Sequence, residues 1–124
     1  MTHRFVQWAA FFAFLAVALG AFGAHGLKGH LSENDLSVYK TAVEYQMWHA
    51  LGLGFIGLLQ ERLPQSKILN WSGWLMFFGI LIFSGSLYAL TLTGIRSFGM
   101  LTPFGGLSFL IAWLLVALGV SKQR

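Results

Sequence analysis

Four long apolar runs dominate this chain, and they leave few folds open to it. They cover about 5–24, 41–59, 68–90 and 104–120, each 17 to 23 residues long. About 20 predominantly apolar residues carry a helix across roughly 30 Å of hydrocarbon. The runs are continuous rather than spaced at the period of a half-buried helix or strand, which is the pattern of segments dissolved in lipid. Composition agrees: 56% of the 124 residues are hydrophobic, and eight Lys or Arg with four Asp or Glu carry the charge. A soluble domain holds roughly 25% charged residues, and so short a chain lacks the interior to hide this much apolar surface. The sequence therefore predicts an all-α polytopic membrane protein. It forms one domain over 1–124, a four-transmembrane-helix bundle with its termini on the same side.

The first run has one competing reading. Arg4 precedes it and small residues surround Ala21 to Ala24, as in a cleaved signal peptide. Its apolar stretch exceeds the roughly 7 to 15 residues of a signal core, and three more runs follow, which favours an uncleaved helix. Basic residues set the orientation, because cytoplasmic loops are enriched in them. One face receives Arg4, Arg62, Lys67, Lys122 and Arg124; the other receives Lys28, Lys40 and Arg96. Five against three places both termini in the cytoplasm, in a bacterial inner (plasma) membrane. Trp8, Trp71 and Trp74 then fall at the cytoplasmic boundary, where amphipathic rings prefer the headgroup layer.

The net charge of +4 is spread over both sets of loops, so it calls for an anionic lipid bilayer and no nucleic acid. Without cysteine, disulfides, thiolate metal sites and Cys nucleophiles are excluded. Helix boundaries are also marked. Ser32-Glu33-Asn34-Asp35 resembles a weak capping box, so the second helix should begin near Glu33, outside the hydrocarbon. Leu36, Tyr39, Val43 and Met47 continue one apolar face through that entry. Ser66 follows Pro64 as a cap for the third helix, and Thr102-Pro103 pairs a capping hydroxyl with a proline at the first helical position.

Small residues mark where helices touch, because association in lipid relies on close packing and interhelical hydrogen bonds. Ala16, Gly20 and Ala24 form one stripe; Ala42, Ala50 and Gly54 a second, interrupted by Gln46; Ser72, Gly79 and Ser86 a third; Ser108, Ala112 and Gly119 a fourth. Gly20, Gly23, Gly54, Gly79, Gly85, Gly105 and Gly106 are the expected packing glycines. The glycines of the segment 20–29 do not form a phosphate loop, since no GxxxxGK[ST] is present and no strand precedes them.

Four ordered motifs carry a resemblance: Gly20-Ala21-Phe22-Gly23-Ala24-His25-Gly26-Leu27; Thr41-Ala42-Val43-Glu44-Tyr45-Gln46-Met47-Trp48-His49-Ala50; Phe83-Ser84-Gly85-Ser86-Leu87-Tyr88 with Thr93-Gly94; and Thr102-Pro103-Phe104-Gly105-Gly106. Together they resemble the YgdD-like family of uncharacterised small bacterial inner-membrane proteins, related to the transmembrane protein 256 group. The resemblance covers almost the whole chain. It implies a four-span plasma-membrane protein and brings no catalytic residues with it.

Alternating topology still tells where a site would lie. His25, His30, Glu44, Tyr45, His49, Ser84, Tyr88, Thr91, Arg96 and Thr102 fall in one half of the membrane or its adjoining loops, and with the termini inside, that half faces outward. Of these, His25, Glu44, Tyr45, His49, Ser84, Tyr88, Arg96 and Thr102 form the candidate polar ligand site. An ionisable group within a span is costly and is normally paired or turned inward. For Glu44 the bland reading is a carboxylate bonded to a neighbouring helix or paired with Lys40 or Arg96. His25 and His49, with Glu44, could hold a metal or small polar ligand, but two His without a compact spacing motif name no metal site. Glu44 or His49 as base with Ser84 or Tyr88 as donors would make a catalytic site, and no nucleophile elbow or repeated acidic motif supports it. The residues thus point to no catalytic group, no metal and no cofactor. The leading expectation is a structural or accessory component of a larger membrane complex or a homo-oligomer. The alternative is a transporter or channel-like protein, or a small-ligand binder, using the polar half.

Overall fold

The computed structural model describes residues 3–121, and the described chain is all-helical, with no strand. The order is α1 (Arg4–His25), α2 (Glu33–Arg62), α3 (Lys67–Thr93), a short 3-10 helix (Arg96–Met100) and α4 (Thr102–Ser121). Lys122 and Arg124, which enter the orientation argument, lie outside the described residues.

The predicted starts of α2 and α3 coincide with their caps. The Ser32 side chain accepts from the Asp35 N–H at 3.0 Å, and Ser66 does the same for Leu69 at 3.2 Å, each satisfying a donor with no partner inside the helix. α3 ends on Gly94, whose left-handed backbone (φ 76°) lets its N–H return to the Leu90 carbonyl. At Thr102 the hydroxyl is shared with the Ser86 hydroxyl at 2.6 Å, so it ties α4 to α3.

The helices run up, down, up, down. Phe5 packs on Trp74 and Phe12 on Phe77, so α1 lies parallel to α3 in matching register. α2 runs against both: its end meets the start of α1 at Gly57 and Val6, and its beginning meets the end of α1 where Tyr39 covers Gly23. α4 returns along α3, from Gly105 against Phe83 to Gly119 against Leu69. The central core draws on all four, with Phe5, Phe12, Leu53, Ile56, Met76, Ile80, Phe109 and Val116 among its members.

α1, α3 and the segment Arg96–Ser121 are each long and apolar enough to cross a membrane. α2 does not meet that standard, because Lys40, Glu44, Gln46 and His49 interrupt its apolar stretch. Outward, however, α2 presents Trp48, Leu51, Phe55 and Leu58, and the other helices show similarly large apolar surfaces.

Expected packing glycines fall into three groups. A Cβ at Gly23 would strike the Tyr39 ring, one at Gly79 would lie 2.6 Å from Phe109, and one at Gly105 would enter the Phe83 backbone. A Cβ at Gly20 would lie tightly against Val43 at 3.3 Å, and one at Gly54 would reach Ala9 at 3.4 Å. One at Gly106 would meet Phe83 only at 3.9 Å, and one at Gly85 would face open space. Close approaches also occur at Gly52, Gly57 and Gly73, which were not among the expected packing glycines; a Cβ at Gly73 would strike the Phe5 ring.

Candidate functional site

The polar side chains of the predicted site divide among several places rather than one. Within the bundle, Gln46 is the connecting residue. Its amide donates to the Phe12 carbonyl of α1 at 2.8 Å, and its Oε1 accepts from the Tyr88 hydroxyl of α3 at 2.6 Å. Ser84 donates to the Ala42 carbonyl at 2.8 Å and Tyr39 to the Leu19 carbonyl at 2.6 Å. Gln46, Ser84 and Tyr88 line a cavity of about 200 Å³ between α1 and α3, otherwise walled by Phe12, Leu15, Leu19 and Ile80. Every polar group there is bonded to another helix. Among the described residues, no sealed side-chain nitrogen or oxygen lacks a hydrogen-bond partner.

Tyr45 and His49 sit on a different face of α2, toward α4. The His49 ring stacks on Phe109 with centroids 3.5 Å apart and planes at 11°, and Trp113 stands 5.9 Å away. Its Nδ1 lies 2.7 Å from the Tyr45 carbonyl one turn back, which makes Nδ1 the donor and, in the neutral ring, Nε2 the acceptor. Tyr45 itself stacks on Phe83 at 4.5 Å. Between α2 and α4 these rings floor an open groove of about 530 Å³, completed by Pro103, Gly106, Leu107 and Leu110.

At the end of the bundle that holds the α1–α2 loop, Arg96 grips Asp35 with both arms, at 2.8 and 3.1 Å. The guanidinium holds the Asp35 carboxyl below the usual carboxylate range and raises its own pKa in return. Arg96 therefore pairs with Asp35 and not with Glu44. Glu44 is exposed on α2 beside Gly20 and Ala24, and no ion pair holds it among the described residues. His25 is exposed in the last turn of α1. Thr102 is bonded to Ser86, as described above. Among the described residues no three His, Cys, Asp or Glu side chains gather to hold a metal.

The structure thus joins Ser84 with Tyr88 and Tyr45 with His49, and leaves His25, Glu44, Arg96 and Thr102 apart from both pairs. Gln46, Asp35 and the aromatic wall of Phe83, Phe109 and Trp113 are the participants that sequence reasoning missed. Gln46 had a signal, because an amide interrupting a small-residue stripe implies a partner on the facing helix.

A family described only as a protein of unknown function (DUF423) matches residues 19–106. A membrane protein of Staphylococcus saprophyticus, named UPF0382, is 50% identical over 95% of this chain and 97% of its own length. The UPF0382 membrane protein of Staphylococcus epidermidis is 49% identical, covering 95% of each chain. YwdK of Bacillus subtilis, another UPF0382 membrane protein, is 46% identical over 95% of this chain and 96% of its own. No solved structure matches the chain.

Proposed function

Because the chain belongs to the DUF423 family of unknown function, whose similar relatives are named membrane proteins, we propose that it is a structural or accessory protein of the plasma (inner) membrane, assembling with itself or a larger complex. In this reading residues 1–124 form one domain of four spans. α2 crosses as the others do in this reading, which the parallel course of α1 and α3 supports, because a chain with both of those spanning in one direction returns across the bilayer between them. Gln46 and His49 tolerate the position because each is hydrogen-bonded within the bundle, Glu44 lies nearer the outer boundary of the span, and Trp48, Leu51, Phe55 and Leu58 meet lipid. Arg4, Arg62 and Lys67, with Lys122 and Arg124 of the sequence, mark the cytoplasmic face, which takes both termini; Lys28, Lys40 and Arg96 lie outside. The four motifs further support a place beside the YgdD-like and transmembrane protein 256 groups.

One observation carries the accessory reading: the buried side chains of Gln46, Ser72 and Ser84, with the Tyr88 hydroxyl, are consumed in holding helix to helix. A transport path needs polar groups in sequence across the membrane, whereas this network ends at Gln46 and Tyr88, and Phe5, Ile56 and Met76 fill the core beyond it. Mass measurement of the protein extracted in native lipid discs tests the reading. The expected result is a defined homo-oligomer or a stoichiometric complex. A lone 13.7 kDa chain that conducts ions or protons in liposomes, with loss in Glu44→Gln, would favour transport instead.

A further inference from the structure

His49 is a buried residue of the predicted site whose bonding is left incomplete. It is only 6% exposed, and its Nδ1 is committed to the Tyr45 carbonyl. Nε2 has no hydrogen-bond partner among the described residues. Since no sealed side-chain nitrogen or oxygen there lacks one, Nε2 is reachable from outside, and the groove that His49 lines is the way in. On the four-span reading, that groove opens to hydrocarbon. Water is scarce there, and an unpaired acceptor is costly.

The lining narrows what could satisfy it. Tyr45, Phe83, Phe109 and Trp113 line it with aromatic rings, with Leu107 and Leu110 beside them. Such walls favour a flat ring by offset stacking. About 530 Å³ falls within the range of small-molecule sites. Besides His49 Nε2, the side-chain polar atoms of the lining residues are the Tyr45 hydroxyl and the Trp113 indole N–H, both without a partner among the described residues. One acceptor, one hydroxyl and one N–H in an apolar aromatic slot suit a ligand with few polar atoms, one of them a donor.

We infer that the α2–α4 groove is a binding site for a lipid-soluble hydroxylated aromatic, of the phenol or hydroquinone class, whose hydroxyl donates to His49 Nε2 while its ring stacks on the aromatic wall. The inference rests on the four-span reading and goes beyond the accessory role. It assigns binding only, and no electron or proton transfer.

Decyl-hydroquinone and its O,O-dimethyl ether, which shares the ring and tail but cannot donate, are the probes. Each is titrated into the protein in neutral detergent micelles, with affinity read by calorimetry and the His49 ring nitrogens by NMR. The hydroquinone should bind saturably and move the Nε2 resonance more than Nδ1. The ether should bind roughly tenfold more weakly, the loss of one hydrogen bond in an apolar site. His49→Phe, which keeps a ring on Phe109, should reduce hydroquinone affinity to that of the ether. Gly106→Leu should weaken both probes, because a Cβ at Gly106 is tolerated and its side chain fills the groove. Equal affinity for the two probes, unchanged binding in either folded variant, or no saturable binding by the folded protein overturns the inference. Circular dichroism establishes folding; should His49→Phe not fold, the probe pair and Gly106→Leu decide. Topology is read separately by labelling, so an error in the span reading is distinguishable from a failure to bind.

Discussion

Asp35 and Arg96 lie 61 residues apart in sequence, yet their paired hydrogen bonds clasp the start of α2 to the 3-10 helix after α3. With its folded pKa depressed, Asp35 stabilises the fold fully above its unfolded value near 3.8. That contribution is lost as pH falls through the lower folded value, because the unfolded state then binds the proton more readily. Melting in micelles at falling pH should therefore show a loss from about pH 5 downward that Asp35→Asn lacks. Within the bundle, Tyr88→Phe should cost roughly 1 kcal/mol, as one interhelical hydrogen bond is removed in an apolar setting, and Gln46→Leu about 2 kcal/mol, as it also loses the bond to the Phe12 carbonyl. The double variant should cost less than the sum, since both act on one bond. Strictly additive losses in a double-mutant cycle would show that the bond carries no coupling.

Among the elements, α3 and α4 approach most closely at Gly105, where a Cβ would enter the Phe83 backbone. Gly105→Leu should force the helices apart and destabilise by about 2 kcal/mol or more, whereas Gly85→Ala, which meets open space, should be near neutral unless that face meets another chain. Thermal unfolding of the two variants separates them. Ser32→Ala should cost about 1 kcal/mol through loss of the α2 cap. These helix ends were legible in the sequence, because a cap is a local event: Ser32 and Ser66 stand next to the groups they satisfy. Ala16, Ala42, Ser72 and Ala112 of the small-residue stripes follow their own helix period and are buried, whereas Ala24, at the end of the first stripe, is exposed. Partners across helices were not legible. Glu44 and Asp35 differ on α2 by nine positions, and only the rotation of that helix and the path of the 3-10 segment decide which of them meets Arg96. Likewise, His49 and Glu44 share a helix, but α4 covers the first and leaves the second outside.

For the whole molecule, the predicted gathering of polar residues into one half takes a more particular form. Gln46, Ser84, Tyr88 and Tyr39 bind α1, α2 and α3 together; Ser86 and Thr102 join α3 to α4; His49 keeps an open valence at Nε2, toward the α2–α4 groove that Tyr45 also lines. Sequence could locate this half because alternating topology fixes it, and could not divide it because division depends on helix rotation. All of this rests on α2 crossing the bilayer with the termini inside. The chain contains no cysteine, so single introduced thiols report position directly. His30→Cys, Gln65→Cys and Ser97→Cys place one in each connection. A membrane-impermeant maleimide added to intact spheroplasts should label Cys at 30 and 97, and reach the one at 65 only after permeabilisation. Labelling of all three from the same side would contradict a spanning α2, and the inverse pattern would contradict the orientation.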